Sequence, residues 1–556
     1  MKHKKVLMVM LSALTASAAD SFTRVSAVAL KALENDGKEL AILDPREEGA
    51  YGLGHLLHAV NIPLSTLELN IDLLVPRRST RIVLADGGEG TAERAAVRLK
   101  ELGYTNLAVL EGGYPAWKQA GYEIFSGMSV PGKAFGEWIA LHYETPEITA
   151  QELHRKIADG EDVLILDSRP ANEYADMNIP SSINVPGSEL VYRFAELAVK
   201  PETLVVVNCA GRTRSIIGAQ SLINAGVKNK VVALNGGTMA WQTSGFELEH
   251  GSKRHAPEPS GQHLQQALEA AQKVADRYGV RTIDARTLAN FKAEKDRTVY
   301  LIDLRTPEEY RAGHRPDSSY GWGVQLVQGM DKYAATRHGR IVLVDNYLVR
   351  ALMTASWLVQ ADWPETYVLA DPFRGVELTT GDYKPAILGL GKPAPRAVDA
   401  ARLSEMLKMS GTTVIDVAGS SSYIKGHIPG AWFVSRARLG ESIKRIPPSA
   451  SFVVTGNETA LAALTAQDLA KLTGKPVSVL DGGNAAWRKA RLPLKSGMEK
   501  AGTTVDDIFV QPFLWGQLDP ASPEFRKAAD DYLAWELQLP EQLNRAKETD
   551  FKLPGK

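Results

Sequence analysis

The chain contains a single cysteine, Cys209, and its neighbours in the sequence are those of a reactive thiol. An apolar run typical of a buried strand, Leu204–Asn208, ends directly before it, and a helical pattern begins after the loop that follows. A helix in that position directs free backbone N–H groups and the positive end of its dipole at the loop. Gly211 lets the loop curl into an anion-binding nest, and Arg212 and Arg214 add positive charge. The pattern favours a thiolate, which is the nucleophilic form of sulfur.

The alternative to a reactive cysteine is a buried, inert one, and most free cysteines in proteins are buried and inert. The positively charged loop and the strand-to-helix position favour reactivity here. A single cysteine excludes an internal disulfide framework and any zinc or iron–sulfur site built from several thiolates. The histidines form no helical pair with a nearby carboxylate, and the Gly-rich stretch 86–91 lacks the lysine of a phosphate-binding loop. We therefore expect no metal site and no cofactor.

The strand pattern around Cys209 is one of four related copies along the chain. In each copy a short β-rich apolar run ends in an aspartate, and a tyrosine follows seven residues later. An arginine stands two residues after the aspartate in the first three copies, whereas the fourth copy has Ala418. The distance between copies is that of a domain and exceeds the ~20–50-residue period of a solenoid, which indicates tandem duplication. The four pairs are Asp44 and Tyr51, Asp167 and Tyr174, Asp303 and Tyr310, and Asp416 and Tyr423.

Each copy continues with a second strand, a helical pattern and a third strand. The second strand ends at Cys209 in the second copy, and the other copies have Asp86, Asp345 and Gly456 at that position. The third strand ends in a Gly-Gly turn in three copies, and the third copy lacks this turn. Short apolar strands that alternate with helices favour a parallel sheet covered on both faces. We expect four small α/β domains, of which only the second has a nucleophile.

Four motifs taken together resemble the rhodanese (thiosulfate sulfurtransferase) superfamily. They are D-x-R-x-x-x-[EY]-Y, I-P-x-x-x-N-V-P, the strand–Cys-x-Gly-x-x-Arg–helix loop and G-G-x-x-A-W, and they agree best in the second copy. The order of the copies resembles that of bacterial sulfurtransferases with four tandem domains. The resemblance implies an α/β chain of four rhodanese-like domains, each a small parallel sheet flanked by helices, with a C-terminal helical tail. We delimit the domains as 20–128, 145–250, 278–385 and 396–500, and the tail as 501–556.

The resemblance implies a double-displacement reaction at Cys209. The thiolate would take the outer sulfur of thiosulfate or a similar anionic donor, release sulfite and become a persulfide, from which cyanide or a thiol would accept the sulfur. Arg212 and Arg214 would bind the donor. By the same resemblance Asp167 and Arg169 would form a structural ion pair beside the loop. The persulfide would be held by the backbone N–H groups of Ala210, Gly211, Arg212, Thr213, Arg214 and Ser215.

Loop length separates this prediction from phosphate chemistry. The phosphatase relatives of the superfamily have a His-Cys-x5-Arg loop, one residue longer than the Cys-x4-Arg loop of this chain, so we expect sulfur transfer. Two alternatives stay open. The protein could be a persulfide carrier or scaffold that delivers sulfur to a partner protein with little turnover of small donors. It could also be a non-catalytic protein in which Cys209 senses the redox state by oxidation.

The charge balance and the first residues bear on partners and compartment. Lys and Arg number 64 and Asp and Glu 65, a balance that gives no electrostatic footprint for nucleic acid or an anionic membrane surface. A basic start, the apolar run 6–14 and the small residues 16–18 predict a cleaved signal peptide over 1–19. We therefore expect a soluble periplasmic protein, or a cytoplasmic one if this segment is not a functional signal. The Cys-less copies are expected to serve as scaffold, to wall the mouth of Cys209 or to mediate homodimerisation.

The linkers and the tail lie where the repeated pattern lapses. We place linkers at 129–145, at 251–278, which becomes helical from about His263, and at 389–396. The tail carries several aromatic residues, which are more often packed against neighbouring domains than used to bind a ligand. They are Phe509, Phe513, Trp515, Tyr532 and Trp535.

Overall fold

A computed structural model of the protein describes residues 22–197, 199–391, 394–509, 519, 522–547, 549 and 551–552. The predicted signal peptide over 1–19 lies outside these residues, as do Phe513 and Trp515 of the tail. Within the described part of the chain, no helix combines the length and the apolar character needed to cross a membrane.

Five strands of the first sheet are parallel and follow the order β1-β5-β4-β2-β3. Its strands are short and buried, and helices on its faces connect them, as the alternating pattern predicts. The elements are β1 Thr23–Val25, α1 Ala27–Glu34, β2 Leu40–Asp44, α2 Glu48–Leu53, β3 Ala59–Asn61, α3 Leu67–Leu74, β4 Ile82–Leu84, α4 Thr91–Glu101, β5 Leu107–Leu110 and α5 Gly113–Gln119.

The next helix occupies a segment that the sequence analysis assigned to a linker. Helix α6, Val130–Tyr143, fills most of the predicted linker 129–145. Its second residue is Pro131, and proline is favoured in the first turn of a helix because the N–H groups there have no partner within the helix. The segment joins the first and second sheets along the chain, as predicted, but most of it is helical, and the helix contributes side chains to the site described below.

The second sheet has the same topology, with the parallel order β6-β10-β9-β7-β8. Strand β9 lies at its centre and is apolar and buried, because helices cover both faces. The elements are β6 Glu147–Ile148, α7 Ala150–Ala158, β7 Val163–Asp167, α8 Ala171–Asp176, β8 Ile183–Asn184, α9 Leu190–Arg193, β9 Leu204–Asn208, α10 Thr213–Asn224, β10 Val231–Leu234 and α11 Gly237–Thr243, with 3-10 turns at Gly187–Glu189 and Phe194–Leu197.

Helix α12, Gly261–Arg277, precedes the third sheet and begins close to the predicted start at His263. The third sheet contains the order β11-β16-β15-β12-β13, which again is parallel. The elements are β11 Arg281–Ile283, α13 Ala285–Ala293, β12 Val299–Asp303, α14 Pro307–Ala312, β13 Ser319–Tyr320, α15 Gly323–Leu326, β14 Thr336–Arg337, β15 Arg340–Val344, α16 Val349–Leu358 and β16 Thr366–Leu369, with a 3-10 turn at Met330–Lys332.

The fourth sheet repeats the order as β17-β21-β20-β18-β19. A long helix in the predicted tail, α22, follows it along the chain. The elements are β17 Arg396–Val398, α17 Ala400–Lys408, β18 Thr412–Asp416, α18 Ser420–Lys425, β19 Trp432–Phe433, α19 Leu439–Arg445, β20 Ser451–Thr455, α20 Thr459–Thr473, β21 Val477–Leu480, α21 Gly483–Lys489 and α22 Pro523–Ala546, with a 3-10 turn at Arg436–Arg438.

The four sheets are divided between two compact units. One unit holds the first and fourth sheets, and the other holds the second and third sheets together with α6, α12 and α22. The second unit has a continuous apolar core in which α10 and α16 pack on their own sheets, α16 also packs on α12, and α10 also packs on α6. Cys209 belongs to this second unit.

Candidate active site

Cys209 stands where the sequence placed it, between the end of β9 and the start of α10. β9 is the central strand of the sheet, and Cys209 directly follows its last residue. The cysteine therefore lies at the carboxyl edge of the sheet, where open α/β sheets bind ligands. Its side chain is 2% exposed. The thiol is therefore buried within the second unit.

The loop after Cys209 is anchored by its carbonyl groups. The backbone N–H groups of Thr238 and Met239, at the start of α11, donate to the carbonyl oxygens of Cys209 at 2.8 Å and Ala210 at 3.0 Å. This contact requires glycine at position 237, because a Cβ there would lie 2.3 Å from the Cys209 carbonyl oxygen. The Gly-Gly turn thus fixes the orientation of the loop.

The N–H groups of the same loop have no such partners. None of those from Ala210 to Ser215 donates a hydrogen bond to another residue in the described part of the chain. The side-chain hydroxyls of Thr213 and Ser215 are buried, and they too lack a partner among the described residues. Buried donors without acceptors are costly, so this arrangement is suited to an anion or a polarised sulfur held at Cys209.

Arg214 carries positive charge beside the cysteine. Its guanidinium donates to both oxygens of Glu173, at 3.0 and 2.9 Å, and Gln325 also donates to Glu173. Burial alone would lower the pKa of Arg214, but the charges of Glu173 and of the Cys209 thiolate raise it above its ordinary value. Arg214 is therefore a fixed cation whose charge is shared between Glu173 and the cysteine.

Arg212 is engaged by acidic side chains. It forms a bidentate ion pair with Glu137 of α6, at 2.7 and 2.9 Å, and it also donates to Glu147 and Asn235. Burial would lower the pKa of Arg212, and the two carboxylates raise it. The donor-binding role predicted for Arg212 stays a prediction, and it requires that these contacts be shared with the donor.

The family model for the rhodanese-like domain matches residues 26–120, 149–244 and 399–490, about half of the chain. These segments contain the first, second and fourth sheets apart from the first strand of each, and they contain the whole Cys209 loop. The chain belongs to the rhodanese family. The third sheet, which has no Gly-Gly turn, lies between the second and third of the matched segments.

A crystal structure with the same architecture is that of the thiosulfate sulfurtransferase from Pseudomonas aeruginosa. It is 42% identical to this rhodanese, with a TM-score of 0.90 over 95% of this chain and 99% of that one. A sulfurtransferase of Allochromatium vinosum is 31% identical over 102 residues, which are 18% of this chain and 92% of that protein. The HTH-type transcriptional regulator Rv0324 of Mycobacterium tuberculosis is 28% identical over 222 residues, 40% of this chain and 89% of that protein.

The predicted Asp167–Arg169 ion pair is present and supports the rhodanese loop. Arg169 donates from Nε to Asp167 Oδ1 at 2.9 Å and from a terminal nitrogen to Oδ2 at 2.7 Å, and both side chains are buried. Asn208 donates to the same carboxylate at 3.2 Å, which ties the pair to the strand end before Cys209. The corresponding pairs, with the same geometry, are Asp44–Arg46 and Asp303–Arg305.

In the other three copies, the residue at the position of Cys209 gives the corresponding loop a different content. The carboxylate of Asp86 accepts from the N–H groups of Gly88 and Ala92, both at 2.9 Å, so it occupies the nest that is open around Cys209. Asp345 is paired with Arg350. Gly456 has no side chain. None of these three loops has a thiol at this position. In the Asp86 loop, the carboxylate also occupies the backbone N–H groups that could bind an anion.

The last element of the rhodanese site is helix α22. It packs on α6 and α11, where Tyr532 joins Met239 in an apolar cluster, as predicted for the aromatic tail. Tyr532 and Glu536 also lie against Gly211 of the loop, which the sequence analysis did not predict. A Cβ on Gly211 would lie 3.7 Å from the Tyr532 ring and 3.6 Å from Glu536 Oε2.

Sequence reasoning missed the acidic and basic residues that complete the site. Lys133 and Glu137 lie in the segment taken for a linker, and Pro131 near its start was a usable sign of a helix. Tyr532 and Glu536 are four residues apart, a spacing that places two side chains on one face of a helix. Nothing in the sequence indicated that this face would meet the Cys209 loop.

Proposed function

We propose that the protein is a sulfurtransferase that moves a sulfane sulfur from thiosulfate or a similar anionic donor to a thiol or cyanide. The observation that carries the proposal is the set of unused N–H and hydroxyl donors around Cys209, in contrast to the filled loop at Asp86. Membership of the rhodanese family supports it, and so does the similarity to a thiosulfate sulfurtransferase over nearly the whole chain.

In the first half-reaction the Cys209 thiolate attacks the outer sulfur of the donor. A bond forms between the two sulfur atoms, the S–S bond of thiosulfate breaks, and its electron pair leaves with sulfite. The new persulfide carries the negative charge formerly on the thiolate. The N–H groups from Ala210 to Ser215 and the hydroxyls of Thr213 and Ser215 would hold this charge, since they have no other acceptor among the described residues.

In the second half-reaction a thiophilic acceptor attacks the outer sulfur of the persulfide. The bond between that sulfur and Cys209 breaks, and the cysteine leaves as a thiolate ready for another cycle. The charge of Arg214 lies beside the leaving thiolate and stabilises it. Cyanide yields thiocyanate, and a thiol yields a new persulfide.

We also propose that the third sheet is a fourth, degenerate rhodanese-like domain and that the Cys-less copies serve as scaffold. The third sheet has the same strand order and the same Asp303–Arg305 pair as the matched copies. It also supplies Gln325, which donates to the Glu173 partner of Arg214. Through Glu173, this contact links one Cys-less copy to Arg214 of the catalytic loop.

A persulfide carrier is the second candidate function. The observation that favours it is the burial of Cys209, which is 2% exposed beneath α22. A closed pocket protects a persulfide from solvent thiols and slows exchange with small molecules. In this case a partner protein would have to open the pocket before sulfur could leave.

Intact mass after incubation with thiosulfate distinguishes these functions. The wild type is expected to gain one sulfur atom and release sulfite, and Cys209→Ser is expected to gain nothing. Loss of the added sulfur to cyanide, with thiocyanate formed at each cycle, supports the enzyme. A sulfur that persists in cyanide supports the carrier. A protein that gains no sulfur but forms a sulfenate with peroxide contradicts both and supports the redox sensor.

A further inference from the structure

A cluster of three polar side chains joins α22 to α6 beside the catalytic loop. Lys133 Nζ donates to Glu536 Oε1 at 3.0 Å and to the hydroxyl of Tyr532. The Tyr532 hydroxyl in turn donates to Glu536 Oε1 at 2.5 Å. One oxygen of the Glu536 carboxylate therefore receives two hydrogen bonds, which fix the position of the side chain.

The other oxygen of Glu536 has no hydrogen-bond donor. Glu536 is 1% exposed, and its Oε2 atom has no partner among the described residues. A buried carboxylate oxygen without a donor is costly in a folded protein, so such an atom calls for an explanation. Oε2 is the carboxylate atom nearest to the place where a Cβ of Gly211 would stand, two residues after Cys209. Oε2 therefore faces the Cys209 loop at Gly211.

Charged groups from α6 and from the Cys209 loop surround the polar cluster at Glu536. Lys133 neutralises the carboxylate directly, and Glu137, which pairs with Arg212, faces it from the same helix as Lys133. Burial and the Glu536 carboxylate raise the pKa of Tyr532, and the Cys209 thiolate adds to this effect while Arg214 opposes it. Tyr532 thus remains a neutral hydrogen-bond donor to Glu536.

We propose that Glu536 is the general base that deprotonates a thiol acceptor in the second half-reaction, with Lys133 and Tyr532 as its positioning residues. The inference rests on the proposed function and names its acceptor as a neutral thiol. The acceptor S–H proton passes to Glu536 Oε2, and the acceptor sulfur bonds to the outer sulfur of the Cys209 persulfide. The bond from that sulfur to Cys209 breaks, and Cys209 leaves with the electron pair. The products are an acceptor persulfide anion, a Cys209 thiolate and a protonated Glu536.

The test compares an acceptor that must lose a proton with acceptors that are already ionised. Persulfide-loaded protein is mixed with an alkane thiol, with a fluorinated thiol that is already ionised at the assay pH, or with sulfite as its dianion. Glu536→Gln is expected to slow transfer to the alkane thiol about a hundredfold, the range of general-base catalysis. Transfer to the ionised thiol and to sulfite should change less than about twofold. In the variant the alkane-thiol rate should rise with pH as the thiol itself ionises.

Two further variants separate catalysis from folding. Glu536→Asp keeps a carboxylate and is expected to restore part of the alkane-thiol rate. Glu541→Gln removes an exposed carboxylate from the same helix, 79% accessible, and should behave as the wild type. Unchanged sulfite transfer in Glu536→Gln shows that the loop is intact. Equal slowing with all three acceptors, or no slowing with the alkane thiol, overturns the proposal. Failure of the wild type to load sulfur refutes the proposed function instead.

Discussion

Asp167 and Asp416 occupy the same strand-end position in two rhodanese domains but differ in their partners. Asp167 is paired with Arg169, whereas the residue two places after Asp416 is alanine. Asp416 instead accepts hydrogen bonds from the Ala418 N–H and the Asn484 amide, and both contacts favour its ionised form. Burial outweighs them and raises the pKa of Asp416 above the ordinary carboxyl value.

The raised pKa predicts how the stability of the fourth domain depends on pH. Because the pKa of Asp416 is higher in the folded state, its contribution to stability is full below the ordinary carboxyl pKa of about 4 and is lost as pH rises through the folded value. Asp416→Asn does not ionise and keeps an acceptor for Ala418. Its Tm, measured by differential scanning fluorimetry, should exceed that of the wild type at neutral pH and match it in acid. A lower Tm at neutral pH would contradict this interpretation.

The same substitution at Asp167 should have the opposite effect. Asp167→Asn leaves the buried Arg169 guanidinium without its counter-charge, and breaking a buried ion pair costs about 3–5 kcal/mol. The free energy of unfolding of the second unit, measured by denaturant titration, should fall by this amount. Glu161→Gln breaks the partly exposed pair with Lys156 and should cost less than about 1 kcal/mol. Similar losses in both variants would show that burial of the pair is unimportant.

At the scale of elements, the turn before α11 positions the catalytic loop. Gly237 has a φ of +56°, and a Cβ there would overlap the carbonyl of Cys209. Gly237→Ala should displace the loop and reduce persulfide formation on the order of a hundredfold, the effect of losing preorganised donors. Gly245→Ala is the matched control, since its φ is +82° with no atom near its Cβ, and it should cost only about 1 kcal/mol. The rate of sulfite release measures persulfide formation in both variants. Equal rates in Gly237→Ala and Gly245→Ala would refute a positioning role for the turn.

The elements that the sequence predicted well are those with a strong local pattern. The strand ends at Asp44, Asp167, Asp303 and Asp416 are where the aspartates placed them, and α10 covers the helical pattern expected after the Cys209 loop. Helix α6 was missed because Gly132 and Gly136 weaken its pattern, and these glycines allow close packing on Gln328 and Thr213. Helix α6 is therefore stabilised by tertiary contacts, which leave no local sign in the sequence.

The partners of the loop arginines were unpredictable for a similar reason. Positive charge near Cys209 was evident from Arg212 and Arg214, but the carboxylates that engage them come from three other elements. Glu137 lies on α6, Glu147 on β6 and Glu173 on α8. Local sequence therefore indicates which charges a loop carries, and only the fold determines how much of that charge is available to a substrate.

At the scale of the whole molecule, the catalytic unit is assembled from segments that are distant in sequence. The second sheet supplies Cys209, the third sheet supplies Gln325, and the C-terminal helix supplies Tyr532 and Glu536. The first and fourth rhodanese domains form a separate unit. The third copy and the C-terminal helix therefore both contribute side chains to the surroundings of the Cys209 loop.

Closure of the site by α22 can be measured through the reactivity of Cys209. Tyr532 packs on Met239 and lies against Gly211, whereas Leu537 on the same helix is 56% exposed. Tyr532→Ala should increase the rate of Cys209 alkylation by iodoacetamide at least about tenfold. A tenfold increase requires that the free energy needed to expose Cys209 fall by only about 1.4 kcal/mol. Leu537→Ala should leave the rate unchanged, because its side chain does not cover the loop. If both variants react at the wild-type rate, the helix does not limit access, and the burial of Cys209 must be relieved by movement of another element.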